Sequence, residues 1–283
     1  MATTVIDAHH HFWNPETADY PWMTGAYQQL RRAYRPVDLA PLLADNGVTA
    51  TIVVQARQDL DETHSLLEIA ATTPWVAGVV GWFDLTSPNV AETIAEVRDG
   101  DHGDRMVGVR HLVHDEPDPE WLLRDDVLSG LGAVAEAGLT YDLLVRAREL
   151  PAATEVARRL PGLRFVVDHL GKPSISTQQT ERWASAIGEI AALPNVTCKV
   201  SGLVTEAEWS AWLPGDLVPY IGMAVELFGA DRLMWGSDWP VCTLAASYSE
   251  VYEVTAEILS GLVGDELGWI LGGCAVATYG LES

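Results

Sequence analysis

The sequence has few basic residues. It contains 17 lysine and arginine residues against 40 aspartate and glutamate residues, a net charge of −23, and its only two lysines are Lys172 and Lys199. A protein that binds nucleic acid normally carries a basic surface that neutralises phosphates. The composition therefore argues against nucleic acid as a partner, and we interpret the acidic residues as a solvated surface.

Cysteine chemistry and long apolar segments are also missing. The three cysteines, Cys198, Cys242 and Cys274, are far apart and form no CxxC pair, so zinc-thiolate and redox sites are not expected. No run of about 18 apolar residues could span a bilayer. The first residues lack the basic and apolar regions of a secretory signal. We expect a soluble, cytoplasmic protein with no membrane partner.

Glycine-rich phosphate loops are absent as well, since neither GxGxxG nor GxxxxGK[ST] occurs. This absence argues against an open, doubly wound sheet, which is the main alternative architecture. Eight short apolar runs rich in β-branched residues recur instead, separated by segments long enough for helices. The runs cover residues 5–10, 49–55, 76–83, 106–112, 139–145, 163–169, 195–202 and 232–238.

Eight alternating strands and helices suffice to close a barrel. The length of 283 residues suits this fold, which typically takes about 250 residues before insertions. The sequence therefore predicts an α/β fold, a (β/α)8 TIM barrel that forms one domain over residues 1–283. An additional C-terminal helix is predicted over residues 265–282.

Polar residues end the first predicted strand. Barrel enzymes place their active sites at the carboxyl ends of the strands, and this strand ends in Asp7, His9 and His11. Strict alternation predicts that these three side chains face the barrel mouth, whereas Ile6 and Ala8 face the surrounding helices. The adjacent histidines could instead be a surface cluster or the remnant of an expression tag, but they end an apolar strand.

Two further residues are predicted at the same end of the barrel. His169 closes the sixth run and Asp238 closes the eighth. Because the eighth strand of a closed barrel pairs with the first, Asp238 is expected about 5 to 8 Å from the backbone of His9 and His11. This set is typical of a metal or catalytic centre. A helix N-cap is the alternative role for Asp238.

Candidate substrate-binding residues lie near these strand ends. Arg110 and His111 end the fourth strand, where Arg110 could hold a carboxylate, a carbonyl oxygen or a hydroxyl, or form a salt bridge. Lys199 lies within the seventh strand and is a candidate stabiliser in the barrel mouth, with an ion pair as the alternative. Four tryptophans just beyond strand ends could stack on a sugar ring or pack in the core: Trp13, Trp22, Trp82 and Trp239.

Segments from six of the eight runs resemble the amidohydrolase superfamily and, within it, the sugar-lactone hydrolases: IDAHHHFW, GVRHLVHDEPD, YDLLV, FVVDHLGKP, CKVSGL and WGSDWPV. The likeness extends over nearly the whole chain. It implies that His9 and His11 match the first-strand HxH pair of the family. By the same resemblance, His169 matches a later-strand histidine and Asp238 the eighth-strand aspartate.

The resemblance also bears on the metal content. Relatives with two metal ions carry a bridging carboxylated lysine after the fourth or fifth strand, where this sequence has Arg110 and Arg146. The resemblance therefore implies one divalent cation, with Zn²⁺ the expected ion, held by His9, His11, His169 and Asp238. Metal-independent operation is the alternative.

Hydrolysis of a sugar-acid lactone is the predicted reaction. Asp238 would act as general base and then general acid, with His169 as a second catalytic residue. A bound Zn²⁺ would lower the pKa of water from about 16 toward about 7. Without it, protonated histidines with Arg110 and Lys199 would stabilise the oxyanion. Decarboxylation of an aromatic or unsaturated acid and a non-catalytic ligand-binding barrel are the alternatives, and substrate stereochemistry and oligomeric state stay open.

Overall fold

A computed structural model describes residues 4–281 of the chain. Its centre is a sheet of eight parallel strands that follow one another in chain order. A backbone bridge between His10 and Trp239 joins the segment after the last strand to the first strand. The strands are β1 Ile6–His10, β2 Ala50–Val54, β3 Val76–Gly81, β4 Met106–His111, β5 Thr140–Leu143, β6 Arg164–Val167, β7 Val196–Val200 and β8 Leu233–Trp235. Each predicted run contains one strand, which confirms the predicted barrel.

Helices alternate with the strands. They are α1 Pro36–Asp45, α2 Leu60–Thr72, α3 Val90–Asp99, α4 Asp125–Glu136, α5 Leu150–Arg159, α6 Glu181–Ala191, α7 Pro214–Phe228, α8 Tyr248–Val263 and α9 Cys274–Tyr279. Among residues 4–281, no single helix is long and apolar enough to cross a membrane. One pair, Tyr248–Glu266 with Trp269–Tyr279, meets the length and composition test only when taken together, across a bend of 104°.

The predicted C-terminal helix exists but is shorter than expected. A π-helical turn over Trp269–Gly273 precedes α9, so the regular α-helix begins only at Cys274. This turn ends in two adjacent glycines, Gly272 and Gly273. At Gly272 a Cβ atom would lie 2.0 Å from the carbonyl oxygen of Thr4, so the chain approaches the start of β1 as only glycine can.

An apolar cluster fills the barrel interior. Its strand members are the β-branched and aliphatic residues that suit a sheet buried on both faces. Residues of α9 pack against the same cluster, at the end of the barrel where the strands begin. The members are Ile6, Ala8, Ile52, Val54, Val80, Val166 and Met234, with Cys274, Ala275 and Tyr279 from α9.

The alternation predicted for β1 is wrong in its first half. Ile6 and Ala8 belong to the inner cluster and do not face the helices. Asp7 lies on the helix side, where its carboxylate accepts a hydrogen bond of 3.1 Å from the Tyr248 hydroxyl of α8. The physical reason is a register irregularity in the pairing with β2 after Asp7. Such a bulge shifts the alternation by one residue and turns His9 into the barrel mouth.

Candidate active site

The four predicted metal ligands converge at the carboxyl ends of the strands. The Oδ1 atom of Asp238 lies 3.8 Å from His9 Nε2, 3.5 Å from His11 Nε2 and 3.9 Å from His169 Nε2. All four side chains are buried. Three imidazole nitrogens therefore surround one carboxylate oxygen.

Unusual backbone conformations create this convergence. His169 and Asp238 have φ angles of 54° and 57°, in the left-handed region that side chains other than glycine seldom adopt. Gly202, at φ 63°, passes so close that a Cβ atom there would lie 2.6 Å from His169 Nδ1 and 3.1 Å from Asp238 Oδ2. At Gly236 a Cβ atom would lie 2.7 Å from that of His9. Strained positions of this kind cluster at functional sites.

Polar contacts orient each imidazole through its Nδ1 atom. His11 Nδ1 lies 2.7 Å from the carbonyl oxygen of Val54, which can only accept, so Nδ1 carries the proton. His169 Nδ1 lies 2.8 Å from the Ser201 hydroxyl. His9 Nδ1 lies 3.3 Å from Asp168 Oδ1 and 3.2 Å from Lys199 Nζ. With the proton on Nδ1, the Nε2 lone pair of His11 is free to bind a cation.

The charge state of the site follows from burial. Burial lowers the pKa of His9, His11 and His169, so the imidazoles are neutral near pH 7. Burial by itself would raise the pKa of the Asp238 carboxyl, but His169 and His11 outweigh it and hold that pKa below its usual value. The cluster therefore consists of three neutral nitrogen donors and one carboxylate.

This donor set fits a single divalent cation. Zn²⁺ prefers neutral imidazole nitrogens and carboxylate oxygens, and its histidine ligands usually donate their second N–H to a carboxylate or carbonyl oxygen. The ligand atoms of His9, His11 and Asp238 lie within 4.8 Å of one another, as do those of His9, Asp168 and His169. His9 is common to both groups, which places it at the centre of the candidate metal site.

A cavity of 620 Å³ opens above this cluster. Asp238, His11 and His169 contribute to its floor, and Trp22 and Tyr27 supply aromatic surface to its wall. The polar part of the wall consists of Arg110, His114, Asp115, Arg146 and Lys172. A sugar-sized molecule could thus contact aromatic faces and hydrogen-bonding groups at once.

The other predicted substrate-binding residues lie elsewhere. Lys199 is fully buried and pairs with Asp142 and Asp168, below the cavity floor. His111 stacks on Trp121, with ring centroids 4.1 Å apart, and its Nε2 atom lies 2.7 Å from Glu116 Oε1.

The Trp13 ring is also outside the cavity wall. It lies behind His11, with ring centroids 6.0 Å apart. Of the residues predicted to bind substrate, Arg110 and Trp22 line the cavity. Direct contact between substrate and the remaining ones stays a prediction that this placement does not favour.

Sequence reasoning missed an ion-pair group on the cavity wall. Glu206 Oε1 lies 2.5 Å from Lys172 Nζ, and Glu206 Oε2 lies 3.2 Å from Arg146 Nη1. His114 and Asp115, also on the wall, occur in the segment HLVHDEPD after β4. Their position just beyond strand ends was the available signal, but the sequence does not show which loops fold over the barrel mouth.

Comparison with known proteins now defines the class of this barrel. A family model described as amidohydrolase matches residues 6–281. The chain therefore belongs to the amidohydrolase family, in agreement with the resemblance of its strand-end motifs.

Particular relatives narrow the comparison. The chain is 40% identical to an L-fucono-1,5-lactonase from Burkholderia multivorans, covering 99% of this chain and 97% of the relative. It is 42% identical to an L-fucono-1,5-lactonase from Burkholderia ambifaria, covering 87% and 83%. A crystal structure of an amidohydrolase from Burkholderia multivorans with bound Zn superposes with a TM-score of 0.93 at 39% identity, covering 99% of this chain and 100% of that one.

Proposed function

We propose that this protein is a lactonase that hydrolyses the ring ester of a sugar-acid lactone. The observation that carries the proposal is the convergence of three imidazole Nε2 atoms, 3.5 to 3.9 Å away, on one carboxylate oxygen of Asp238. This cluster forms the floor of a cavity of sugar size. The two L-fucono-1,5-lactonases at 40% and 42% identity support the same reaction.

Asp238 is proposed as the general base and acid. Its carboxylate is ionised near neutral pH because His169 and His11 lower its pKa against the effect of burial. It accepts a proton from the attacking water as the oxygen bonds to the lactone carbonyl carbon. It then passes that proton to the ring oxygen as the ester bond breaks. The products are one carboxylic acid and one free hydroxyl on the opened chain.

His9, His11, His169 and Asp238 are proposed to hold one Zn²⁺ ion. When bound, the ion would supply Lewis-acid polarisation and a lowered pKa of water. The protein's contribution is orientation. Val54 fixes the His11 ring and Ser201 contacts the His169 ring, through Nδ1 distances of 2.7 and 2.8 Å.

The cavity wall is proposed to bind the sugar hydroxyls and the carbonyl oxygen. Arg110 Nη1 already donates to Asp168 Oδ2 at 3.0 Å and Nη2 donates to the carbonyl oxygen of Gln55, so a substrate oxygen would have to bind one of the remaining N–H groups of the guanidinium. His114 is neutral, because burial, with Lys172 and Arg146 nearby, lowers its pKa to about 3. A neutral imidazole can either donate to or accept from a hydroxyl.

L-Fucono-1,5-lactone is the particular substrate we propose, on the strength of the two lactonase relatives. We further propose that the reaction takes place in the cytoplasm. The thiols of Cys198, Cys242 and Cys274 are buried and free, which suits a reducing compartment.

The test is a pH-indicator assay of the purified protein against L-fucono-1,5-lactone and its stereoisomers. Asp238→Asn should lower kcat by at least about 1000-fold, since it removes the group that moves the proton. Asp104→Asn is the matched control, because Asp104 is 80% exposed and precedes β4 at the opposite end of the barrel. Full activity of the Asp238→Asn variant, or release of carbon dioxide in place of acid, would overturn the proposal. Full activity of protein that elemental analysis shows to be metal-free would overturn its zinc component.

A further inference from the structure

Asp7 is a polar residue of β1 that the proposed lactonase mechanism does not use. Its side chain is fully buried on the helix side of the strand and does not line the cavity. In the part of the chain that the structure describes, its carboxylate has hydrogen-bond donors as partners and forms no salt bridge. A carboxyl group buried without a cation costs free energy unless hydrogen bonds compensate. The positions of its donors therefore indicate what this residue does.

One oxygen of Asp7 links the first strand to the segment after the last strand. Asp7 Oδ1 accepts a hydrogen bond of 2.8 Å from the backbone N–H of Ser237 and one of 3.2 Å from the backbone N–H of His9. These two donors are 228 positions apart in the sequence. Ser237 directly precedes Asp238. A single acceptor atom thus connects the backbone of His9 to the residue next to Asp238.

The second oxygen of Asp7 has partners of a different kind. Oδ2 accepts from the Ser237 hydroxyl at 2.6 Å and from the Tyr248 hydroxyl of α8 at 3.1 Å. A hydroxyl group can donate or accept, whereas a backbone N–H can only donate. The position of Oδ1 therefore requires an acceptor, and the position of Oδ2 tolerates either a donor or an acceptor.

The barrel closes beside this carboxyl group with few backbone hydrogen bonds. β8 pairs with β7 and, within the described residues, shares no ladder with β1. The N–H of Asp238 donates to the carbonyl oxygen of His9 at 2.8 Å. The preceding N–H, that of Ser237, has Asp7 Oδ1 as its acceptor in place of a backbone carbonyl. The left-handed conformation of Asp238, at φ 57°, is one that persists only where neighbouring contacts hold the chain.

We propose that Asp7 is a positioning residue for the Asp238 carboxylate. Through Oδ1 it holds the backbones of Ser237 and His9 at a fixed separation, and this sets Asp238 against the His9 imidazole. The effect on catalysis rests on the proposed function. The effect on the backbone does not, because these hydrogen bonds are independent of the substrate.

The variants Asp7→Val and Asp7→Asn test this role. Valine suits a strand but carries no acceptor, whereas asparagine keeps a carbonyl oxygen for the two N–H groups and directs its amide N–H toward the two hydroxyls. Asp7→Val should lower kcat about 100-fold, the cost of a displacement of about 1 Å at a catalytic group. KM should stay within about threefold, because the cavity wall belongs to other loops. Asp7→Asn should keep kcat within about threefold of the wild type.

Tyr248→Phe is the matched control, because it removes only the contact between α8 and Oδ2. It should keep the kcat of the wild type. A loss of kcat in Tyr248→Phe as large as that in Asp7→Val would show that Asp7 acts by anchoring α8, and the inference would be wrong. Equal losses in Asp7→Asn and Asp7→Val would also overturn it, since the acceptor at Oδ1 would then not be what matters.

Amide hydrogen exchange, resolved by residue in NMR spectra, is a readout that needs no turnover. In the wild type, the Ser237 N–H should exchange about as slowly as the Asp238 N–H. In Asp7→Val it should exchange at least about tenfold faster, with the amides of β7 unchanged, and in Asp7→Asn it should stay slow. Fast exchange of Ser237 in the wild type would overturn the inference even if Asp7→Val does not fold. If the wild type hydrolyses no lactone, the proposed function fails, and the exchange rates still decide whether Asp7 holds this segment.

Discussion

At the scale of single residues, the candidate site depends on backbone conformations that side chains seldom adopt. His169 and Asp238 both lie in the left-handed region, and Gly202 passes between them. Asp238 therefore cannot be treated as an isolated carboxylate on a regular strand. Its position is held by a hydrogen bond of 2.8 Å from its own N–H to the carbonyl oxygen of His9.

Gly202→Ala should remove activity while the protein stays folded. The added methyl group would overlap His169 Nδ1 and press on Asp238, and a displacement of about 1 Å at a catalytic group can cost about 100-fold in rate. The matched control is Gly138→Ala, because Gly138 has φ 73° and open space around its Cβ position. Both variants incur the strain of an L-residue at positive φ, about 1 to 2 kcal/mol.

The measurements are kcat with the lactone and the thermal midpoint of both variants. Similar losses of stability, with a loss of activity in Gly202→Ala alone, are expected. Equal activity of the two variants would show that close contact at Gly202 does not position His169 and Asp238.

The sequence predicted individual site residues correctly where a reactive side chain lies at the end of an apolar strand. His9, His11, His169 and Asp238 all follow apolar runs, and the structure brings them together. Asp7 was assigned to the wrong face, because a bulge has no signature in the pattern of apolar residues. The residue types at the strand ends predicted the cluster, whereas the shift in register is visible only in the structure.

At the scale of elements, the strands were predictable and the loops that shape the cavity were not. Strands of a parallel barrel are buried on both faces, so they appear in the sequence as continuous apolar runs. Loops carry no such periodicity. The loops after β5, β6 and β7 meet at Glu206, which bridges Arg146 and Lys172 on the cavity wall. Contact between residues up to 60 positions apart leaves no trace in a local pattern.

Glu206→Gln should weaken substrate binding with little change in kcat. The Glu206 side chain is only 11% exposed, so its loss leaves Lys172 and Arg146 as two neighbouring cations with no common partner. Their repulsion would separate the loops and displace the donors proposed to bind sugar hydroxyls. We expect KM to rise roughly tenfold, which corresponds to about 1.4 kcal/mol of binding free energy.

Steady-state kinetics with the lactone are the measurement. Glu208→Gln is the control, because Glu208 lies on the same loop with its side chain exposed. A large fall in kcat with KM unchanged would mean that Glu206 acts on the chemical step and that the proposed binding role is wrong.

At the scale of the whole molecule, the net charge of −23 gives no information about the buried carboxyl groups, whose pKa values are shifted in different directions. Asp168 lies in a balanced network, and its pKa stays well below the usual value, although burial alone would raise it, because Lys199 and His9 stabilise the carboxylate. The carboxylate form of Glu62, in α2, is less strongly stabilised by its neighbours. Burial raises its pKa from 4.5 to about 7, opposed by hydrogen bonds from the backbone N–H groups of Arg57 and Ala56. Net charge therefore says little about how stability depends on pH.

The Glu62 carboxyl should make the fold less stable as pH rises from 4.5 to about 7. In this interval the folded state holds a proton that the unfolded state has released, so the free energy of unfolding decreases with increasing pH. The stabilisation that the protonated Glu62 carboxyl provides, relative to the carboxylate, is fully present below pH 4.5 and lost above about 7. The size of the pKa shift corresponds to about 3 kcal/mol. Glu62→Gln, which cannot ionise, should remove this part of the pH dependence.

Urea unfolding of the wild type and Glu62→Gln at several pH values between 4.5 and 8 measures the effect. Subtraction of the two curves removes the contribution of groups common to both proteins, including Asp7, whose pKa burial raises to about 6. The free energy of unfolding of Glu62→Gln should increase steadily relative to that of the wild type as pH rises. Glu68→Gln, an exposed position on the same helix, should follow the wild-type curve. A constant difference between wild type and Glu62→Gln across this range would mean that the folded protein already holds Glu62 as a carboxylate, stabilised by the backbone N–H groups of Ala56 and Arg57 in the segment before α2.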